Sequence, residues 1–218
     1  MARRWWEWEP VFALEAGRCA LLVVDMQRGF VEPGAPLEVP MARDQVGNIR
    51  KLVDFFHQIG RPVVYTRFCV DADAHYVFYW KIAQQRGLHL EPPHCQFWDG
   101  RRETEITPEL TPAVGDLVIK KFGYDAFSAT PLDALLRARS VDTVVVTGTV
   151  VNWCVDSTVR GAFHRGYYVV VVADCVSGYD HAGLTGEQWC QAELDHFAEA
   201  FGRVLTSDQL IDELSRNR

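Results

Sequence analysis

The chain has 218 residues, 29 acidic against 22 basic side chains, a net charge of −7, and 48% hydrophobic against 23% charged residues. That composition supplies a large core and excludes a disordered chain, a collagen-like repeat and a disulfide-stapled miniprotein. The acidic balance, with no run of four basic residues, argues against non-specific nucleic-acid binding.

Residues 1–18 read as an N-terminal arm, with Trp5, Trp6 and Trp8 and with charges where a secretory leader would be apolar. Cys19 to Val24 is a short continuous apolar run, as a strand buried on both faces would be. Apolar residues at Val46, Ile49, Val53 and Phe56 predict a helix between Asp44 and Ile59, stopped by Gly60. Pro62 to Phe68 is the next strand. Residues 71–112 form a long segment carrying Tyr76, Phe78, Tyr79, Trp80, Phe97 and Trp98, with one short helical pattern from Val77 to Gln85. Its length and aromatics predict an ordered lid or a subunit contact.

Leu117 to Ile119 begins a third strand. Thr130 as cap and Pro131 at the first position predict a helix through Leu136. Val141 to Thr147 is a strand, Cys154 to Arg165 a helix closed by Gly166, and Tyr167 to Ala173 a further strand. A helix from Gln188 to Ala200, a short strand around Val204 and a helix from Ser207 complete the chain. Alternating strands and helices predict an α/β fold: a doubly wound, mainly parallel six-stranded sheet with helices on both faces. Residues 19–218 are expected as one domain.

The longest uncharged stretch, Thr143 to Val155, is 13 residues, short of the ~20 that span a bilayer. The six cysteines lie at least fifteen residues apart, with no C-x-x-C pair. The expectation is a cytoplasmic protein with reduced thiols and no membrane or nucleic-acid partner.

Ligands of open α/β sheets bind beyond the carboxyl ends of the strands. Asp25 ends the first strand, Lys121 lies just past the third, and Cys154 follows Val144–Gly148 at a predicted helix start. Strand-end aspartates also cap loops, lysines there are mostly solvated, and cysteine is usually inert packing. At a helix start, however, free N–H groups and the helix dipole favour thiolate and lower its pKa. Thr147-Gly148-Thr149 matches neither a dinucleotide fingerprint nor a P-loop. The residues alone stop at an α/β enzyme with a candidate cysteine nucleophile.

Three separated blocks carry a resemblance. Ala20-Leu-Leu-Val-Val-Asp25-Met-Gln27, Lys121-Phe-Gly-Tyr-Asp-Ala-Phe127-Ser-Ala-Thr130 and Val146-Thr-Gly148-Thr-Val-Val-Asn-Trp-Cys154-Val155 resemble the isochorismatase-like hydrolase superfamily. The likeness covers about Cys19 to Leu210. It implies Asp25, Lys121 and Cys154 as the catalytic residues. The family's lysine stands six positions before Phe127, which selects Lys121 over Lys120. Isochorismatases proper lack the cysteine, so Cys154 points to the amidohydrolase branch, whose substrates are small amides and ureido or carbamoyl compounds.

The chemistry implied is proton transfer from Cys154 to Asp25, with Lys121 stabilising the charge, attack on the carbonyl, and a thioester hydrolysed by water. The backbone N–H groups of Val150 and Cys154 would form the oxyanion hole, with a cis peptide at Thr149–Val150. Phe30, Tyr124, Phe127 and Trp153 are expected to line the substrate pocket, and Arg67 is a candidate for a substrate carboxylate. Nicotinamidases of the family carry a metal on an Asp-x-His and further histidines. Asp73, His75 and His94 fall in that region but lack its Trp-His-Pro context, and no metal or other cofactor is expected. The alternatives are a metal-assisted amidase of that type and an inactive scaffold. Family habit and the aromatic segments imply a homodimer or homotetramer.

Overall fold

Six consecutive residues without a charge, Cys19–Val24, form β1, and every one of them is inaccessible to solvent. Both faces of the strand must therefore be covered, and the arrangement of the chain follows from that. The computed structural model describes residues 9–71, 82, 85–87 and 95–216. Trp5, Trp6, Trp8, Asp73, His75, Tyr76, Phe78, Tyr79, Trp80 and His94 lie outside them.

The other strands are β2 (Val63–Phe68), β3 (Leu117–Lys121), β4 (Thr143–Thr149), β5 (Tyr168–Ser177) and β6 (Arg203–Leu205). All pairings are parallel, in the order β3-β2-β1-β4-β5-β6. The order reverses between β1 and β4, whose register runs from Cys19–Thr143 to Val24–Gly148. A crevice for ligands opens beyond the carboxyl ends at such a reversal. The helices are α1 (Arg28–Val31), α2 (Val46–Gln58), α3 (Leu132–Arg137), α4 (Asp156–His164), α5 (Gly186–Ala200) and α6 (Ser207–Arg216).

Side chains alternate across the sheet and divide the core in two. Leu21, Val23, Val63, Tyr65, Val145 and Val170 meet Ile49, Leu52, Val53 and Phe56 of α2 and Leu210 and Leu214 of α6. Ala20, Leu22, Val24, Val64, Val144 and Val146 meet Leu132 and Leu136 of α3, Val159 and Ala162 of α4, and Leu194 and Phe197 of α5. Burying each Val or Leu contributes about 1.5–3 kcal/mol, so this two-sided core dominates the stability.

The strand expected to end at Ala173 runs on to Ser177, and three helix starts also differ from the sequence reading. The Thr130 helix begins later, at Leu132, because the Thr130 hydroxyl donates to the Ala126 carbonyl and only weakly accepts from the Leu132 N–H, at 3.3 Å. The helix expected from Gln188 starts at Gly186. Thr185 is its cap, and Gln188 bonds back to the Thr185 N–H in a capping box. The helix expected from Cys154 is preceded by a wider π turn, Val151–Val155.

The segment expected as a lid contributes buried side chains to the core in its second half. Phe97 is buried 4.9 Å from the Phe30 ring and 5.5 Å from Phe68, and Cys95 is fully buried. Gln27 fastens this segment to β2: its amide donates to the Phe68 and Thr104 carbonyls and accepts from the Phe68 N–H. Part of the expected arm also packs on the domain, with Leu14 in the core and Phe12 4.7 Å from Tyr168.

Candidate active site

β1 ends abruptly at Asp25, which takes a left-handed backbone with φ of +49°. That conformation is uncommon outside glycine, though aspartate tolerates it better than most. The turn directs the carboxylate toward β2, where Thr66 receives it twice. The Asp25 N–H donates to the Thr66 hydroxyl at 3.1 Å, and that hydroxyl donates to Asp25 Oδ1 at 2.6 Å. The second carboxylate oxygen, Oδ2, is left for Lys121.

Adjacent residues of a strand point to opposite faces, and this separates the two lysines of β3. Lys120 faces outward and pairs with Asp71 at 2.6 Å and Asp99 at 3.1 Å. Lys121 faces inward with its side chain fully buried, its Nζ 2.6 Å from Asp25 Oδ2. The same ammonium donates to the Gly123 carbonyl at 2.9 Å and to Sγ of Cys154 at 3.4 Å. The ammonium thus has two hydrogen-bond acceptors beside its ion-pair partner. Burial pulls its pKa down, but Asp25 and Cys154 outweigh burial and hold it above the ordinary lysine value.

Cys154 reaches the same point from β4. Gly148 carries φ of +107°, and a Cβ there would stand 2.1 Å from the Val24 carbonyl oxygen, so only glycine lets β4 pass β1 this closely. The Thr149–Val150 peptide is cis, as the resemblance implied. The chain then enters the Val151–Val155 turn, where Trp153 N–H and Val155 N–H both donate to the Val150 carbonyl.

The expectation that a helix start lowers the Cys154 pKa is not met. Burial pushes the thiol up, Lys121 pulls it down, and the neighbouring Asp25 adds to the rise, so its pKa stands above the ordinary thiol value. The turn's N–H groups at Trp153 and Val155 are already taken, and the desolvation of a 6% exposed sulfur prevails.

Cys154 opens onto a cavity of about 580 Å³. Phe30, Tyr124, Trp153 and Val150 line it, as expected. Tyr124 and Trp153 meet edge to face, with ring centroids 5.3 Å apart. Phe127 does not line it. Its ring is buried in the core covered by α3, α4 and α5, 5.6 Å from Tyr167 and beneath the Arg165 guanidinium. Arg67 is also corrected: it donates to Asp99 at 2.7 Å and lies away from the cavity.

Thr66, Phe68, Arg86 and Tyr179 belong to the site without having been anticipated. Thr66 had a signal, as a polar residue directly after the apolar run Val63–Tyr65 in the same strand. Arg86 and Tyr179 stand on loops that only the folded chain brings near Cys154. Among the described residues, no cluster of three or more His, Cys, Asp or Glu could hold a metal ion; Asp73, His75 and His94 lie outside them.

The isochorismatase domain family matches residues 19–209. Among curated relatives, a ureidoacrylate amidohydrolase RutB of Methylorubrum extorquens is 34% identical over 181 residues, spanning 76% of this chain and 72% of the relative. One of Pseudomonas syringae is 30% identical, spanning 95% and 87%. Among solved structures, a cysteine hydrolase from Pseudomonas syringae pv. phaseolicola superposes with a TM-score of 0.86 at 28% identity, over 95% of this chain and 97% of that one. N-carbamoylsarcosine amidase from Thermoplasma acidophilum gives a TM-score of 0.71 at 32% identity, over 88% and 97%. With a family match that spans all six strands and neighbours that cover 88–95% of its length, the chain belongs to the isochorismatase-like hydrolase superfamily, in its cysteine-hydrolase branch.

Proposed function

We propose that the chain hydrolyses a small ureido or carbamoyl compound, or a related amide, through a thioester on Cys154. It is a hydrolase acting on carbon–nitrogen bonds other than peptide bonds. The observation that carries the mechanism is the fully buried Lys121–Asp25 pair, with Lys121 Nζ 3.4 Å from the sulfur at the floor of the cavity. The ureido preference draws on relatives named ureidoacrylate amidohydrolases.

Asp25 takes the thiol proton as sulfur attacks the carbonyl carbon, and Lys121 offsets the negative charge that passes between sulfur and carboxylate. A thiol whose pKa burial raises suits this order, because a base must act in the same step. Val150 and Cys154 both line the cavity and bracket one turn, so their backbone N–H groups are the donors assigned to the oxyanion. The carbon–nitrogen bond breaks, and the amine or ammonia leaves with the proton held on Asp25. Water then gives a proton to Asp25 and attacks the thioester carbonyl; the carbon–sulfur bond breaks and Asp25 returns the proton to sulfur, which restores the thiol and the carboxylate.

Cys154→Ala should abolish turnover of ureidoacrylate, N-carbamoyl amino acids, biuret and nicotinamide, whichever of them is accepted, with the melting midpoint nearly unchanged. Rapid-quench mass spectrometry of the wild type should find the acyl group on Cys154. Full activity in the alanine variant would refute the mechanism.

A further inference from the structure

The cavity holds more than a nucleophile and a small polar ligand require. Its volume, about 580 Å³, falls within the ~300–1,000 Å³ of sites that enclose drug-sized ligands. A ureido acid of a few carbons fills a small part of it. The wall around Cys154 is apolar and largely aromatic: Phe30, Leu37, Phe68, Tyr124, Trp153 and Tyr179. Water beside such a surface is displaced favourably by an apolar body of similar size.

Two charged residues line the cavity among those described, Glu38 and Arg86. The Glu38 carboxylate is spent. It accepts from Arg43 at 2.8 Å and from the Gly34 N–H at 2.8 Å, and these bonds hold its pKa below the usual carboxylate value. Arg86 is different. Its guanidinium lies 5.6 Å from the centre of the Trp153 ring, and no carboxylate among the described residues pairs with it. Its N–H closes on the Ile82 carbonyl at 3.1 Å, and Gly87 follows with φ of +72°, so its backbone is held at the end of a turn. The indole that orients the guanidinium belongs to the residue just before the nucleophile. Arg86 is solvent-exposed and Cys154 buried, so the cation stands at the open side of the cavity and the sulfur at its closed side.

Resting on the hydrolase reading above, we infer that the substrate is an anionic ureido or amide compound whose carboxylate, received by Arg86, is set off from the scissile carbonyl by a bulky apolar or aromatic body packed against Tyr124 and Trp153. Arginine receives a carboxylate through two parallel N–H bonds, which suits a planar acid arriving over an aromatic face.

Three ureas separate the elements of this inference: 4-(ureidomethyl)benzoate has body and charge, benzylurea has body alone, and N-carbamoylglycine has charge alone. The expected kcat/KM for the first exceeds each of the others at least tenfold. Arg86→Gln should raise KM for the first at least tenfold with kcat little changed, and should alter benzylurea turnover less than threefold. Calorimetric binding of 4-methylbenzoate reads the same subsite without turnover, and should weaken at least tenfold in Arg86→Gln. Equal kcat/KM across the three ureas, or equal binding of 4-methylbenzoate to both proteins, would overturn the inference while leaving Cys154-dependent hydrolysis standing. Arg86-dependent binding of 4-methylbenzoate without any Cys154 acylation would instead support the subsite and refute the hydrolase reading.

Discussion

Asp25 has two oxygens and each is given a separate task. Oδ1 is held by the Thr66 hydroxyl, and Oδ2 meets Lys121, both without solvent. A hydrogen bond to a charged group is worth about 1.5–3 kcal/mol, so the hydroxyl fixes where the base stands when the thiol gives up its proton. Thr66→Val keeps the shape and removes both bonds. The expected result is a loss of kcat of roughly tenfold or more with KM little changed, while Thr66→Ser restores most of it. A kcat in the valine variant within twofold of wild type would show that Asp25 needs no such anchor. The buried ion pair follows the same logic of completeness. Removing one partner of such a pair typically costs about 3–5 kcal/mol, and Lys121 is held besides by the Gly123 carbonyl and Cys154 Sγ.

At the scale of elements, the site depends on how closely β1 and β4 pass at the point where the sheet reverses. The two strands keep register from Cys19–Thr143 to Val24–Gly148, and β4 shifts against β5 between Val146 and Gly148. Gly148 absorbs both the left-handed φ and the contact with Val24. Gly148→Ala should therefore push apart the end of β1, which carries Asp25, and the turn that carries Cys154. We expect a stability loss of about 3 kcal/mol or more by urea unfolding, as for severe overpacking, together with loss of turnover. A glycine whose replacement by alanine left the urea midpoint unchanged could not be the contact described here. Gly60 and Gly166 also have positive φ but meet nothing within 4 Å of a Cβ, so their role is confined to ending helices.

For the molecule as a whole, the six cysteines make stability depend on pH. All are free and buried. Burial pushes the Cys19 thiol up to about 12 and the Cys69 and Cys190 thiols to about 11. Over that range the folded protein keeps protons that the unfolded chain has released. The linkage therefore runs against stability as pH rises: the contribution is complete below the ordinary thiol value of ~8.5 and is lost progressively toward about 12. Urea midpoints measured at pH 7, 9 and 10.5 should fall in that order, and Cys19→Ala should flatten the decline. A midpoint independent of pH across this range would contradict it. Among the described residues no helix is long and apolar enough to cross a membrane, in keeping with the short uncharged runs of the sequence.

The sequence by itself determined the sheet and the order of its parts. Uncharged runs such as Cys19–Val24 have no alternative to burial on both faces, and the helical spacing of Ile49, Val53 and Phe56 admits one covering face. Asp25, Lys121 and Cys154 were legible because motif blocks record positions at strand ends, and strand alternation alone explains why Lys121 and not Lys120 turns inward. What only the tertiary structure decided concerns contacts between segments distant in the chain. Phe127 carries the same side chain as Phe30, yet one is packed against Tyr167 in the core and the other lines the cavity. Arg67 was claimed by Asp99, and Arg86 was left facing the cavity. The ionisation of Cys154 was settled in the same way. A helix start near the sulfur is a local feature visible in sequence, whereas the burial that overrides it comes from β1, β3 and the cavity wall packing around one atom.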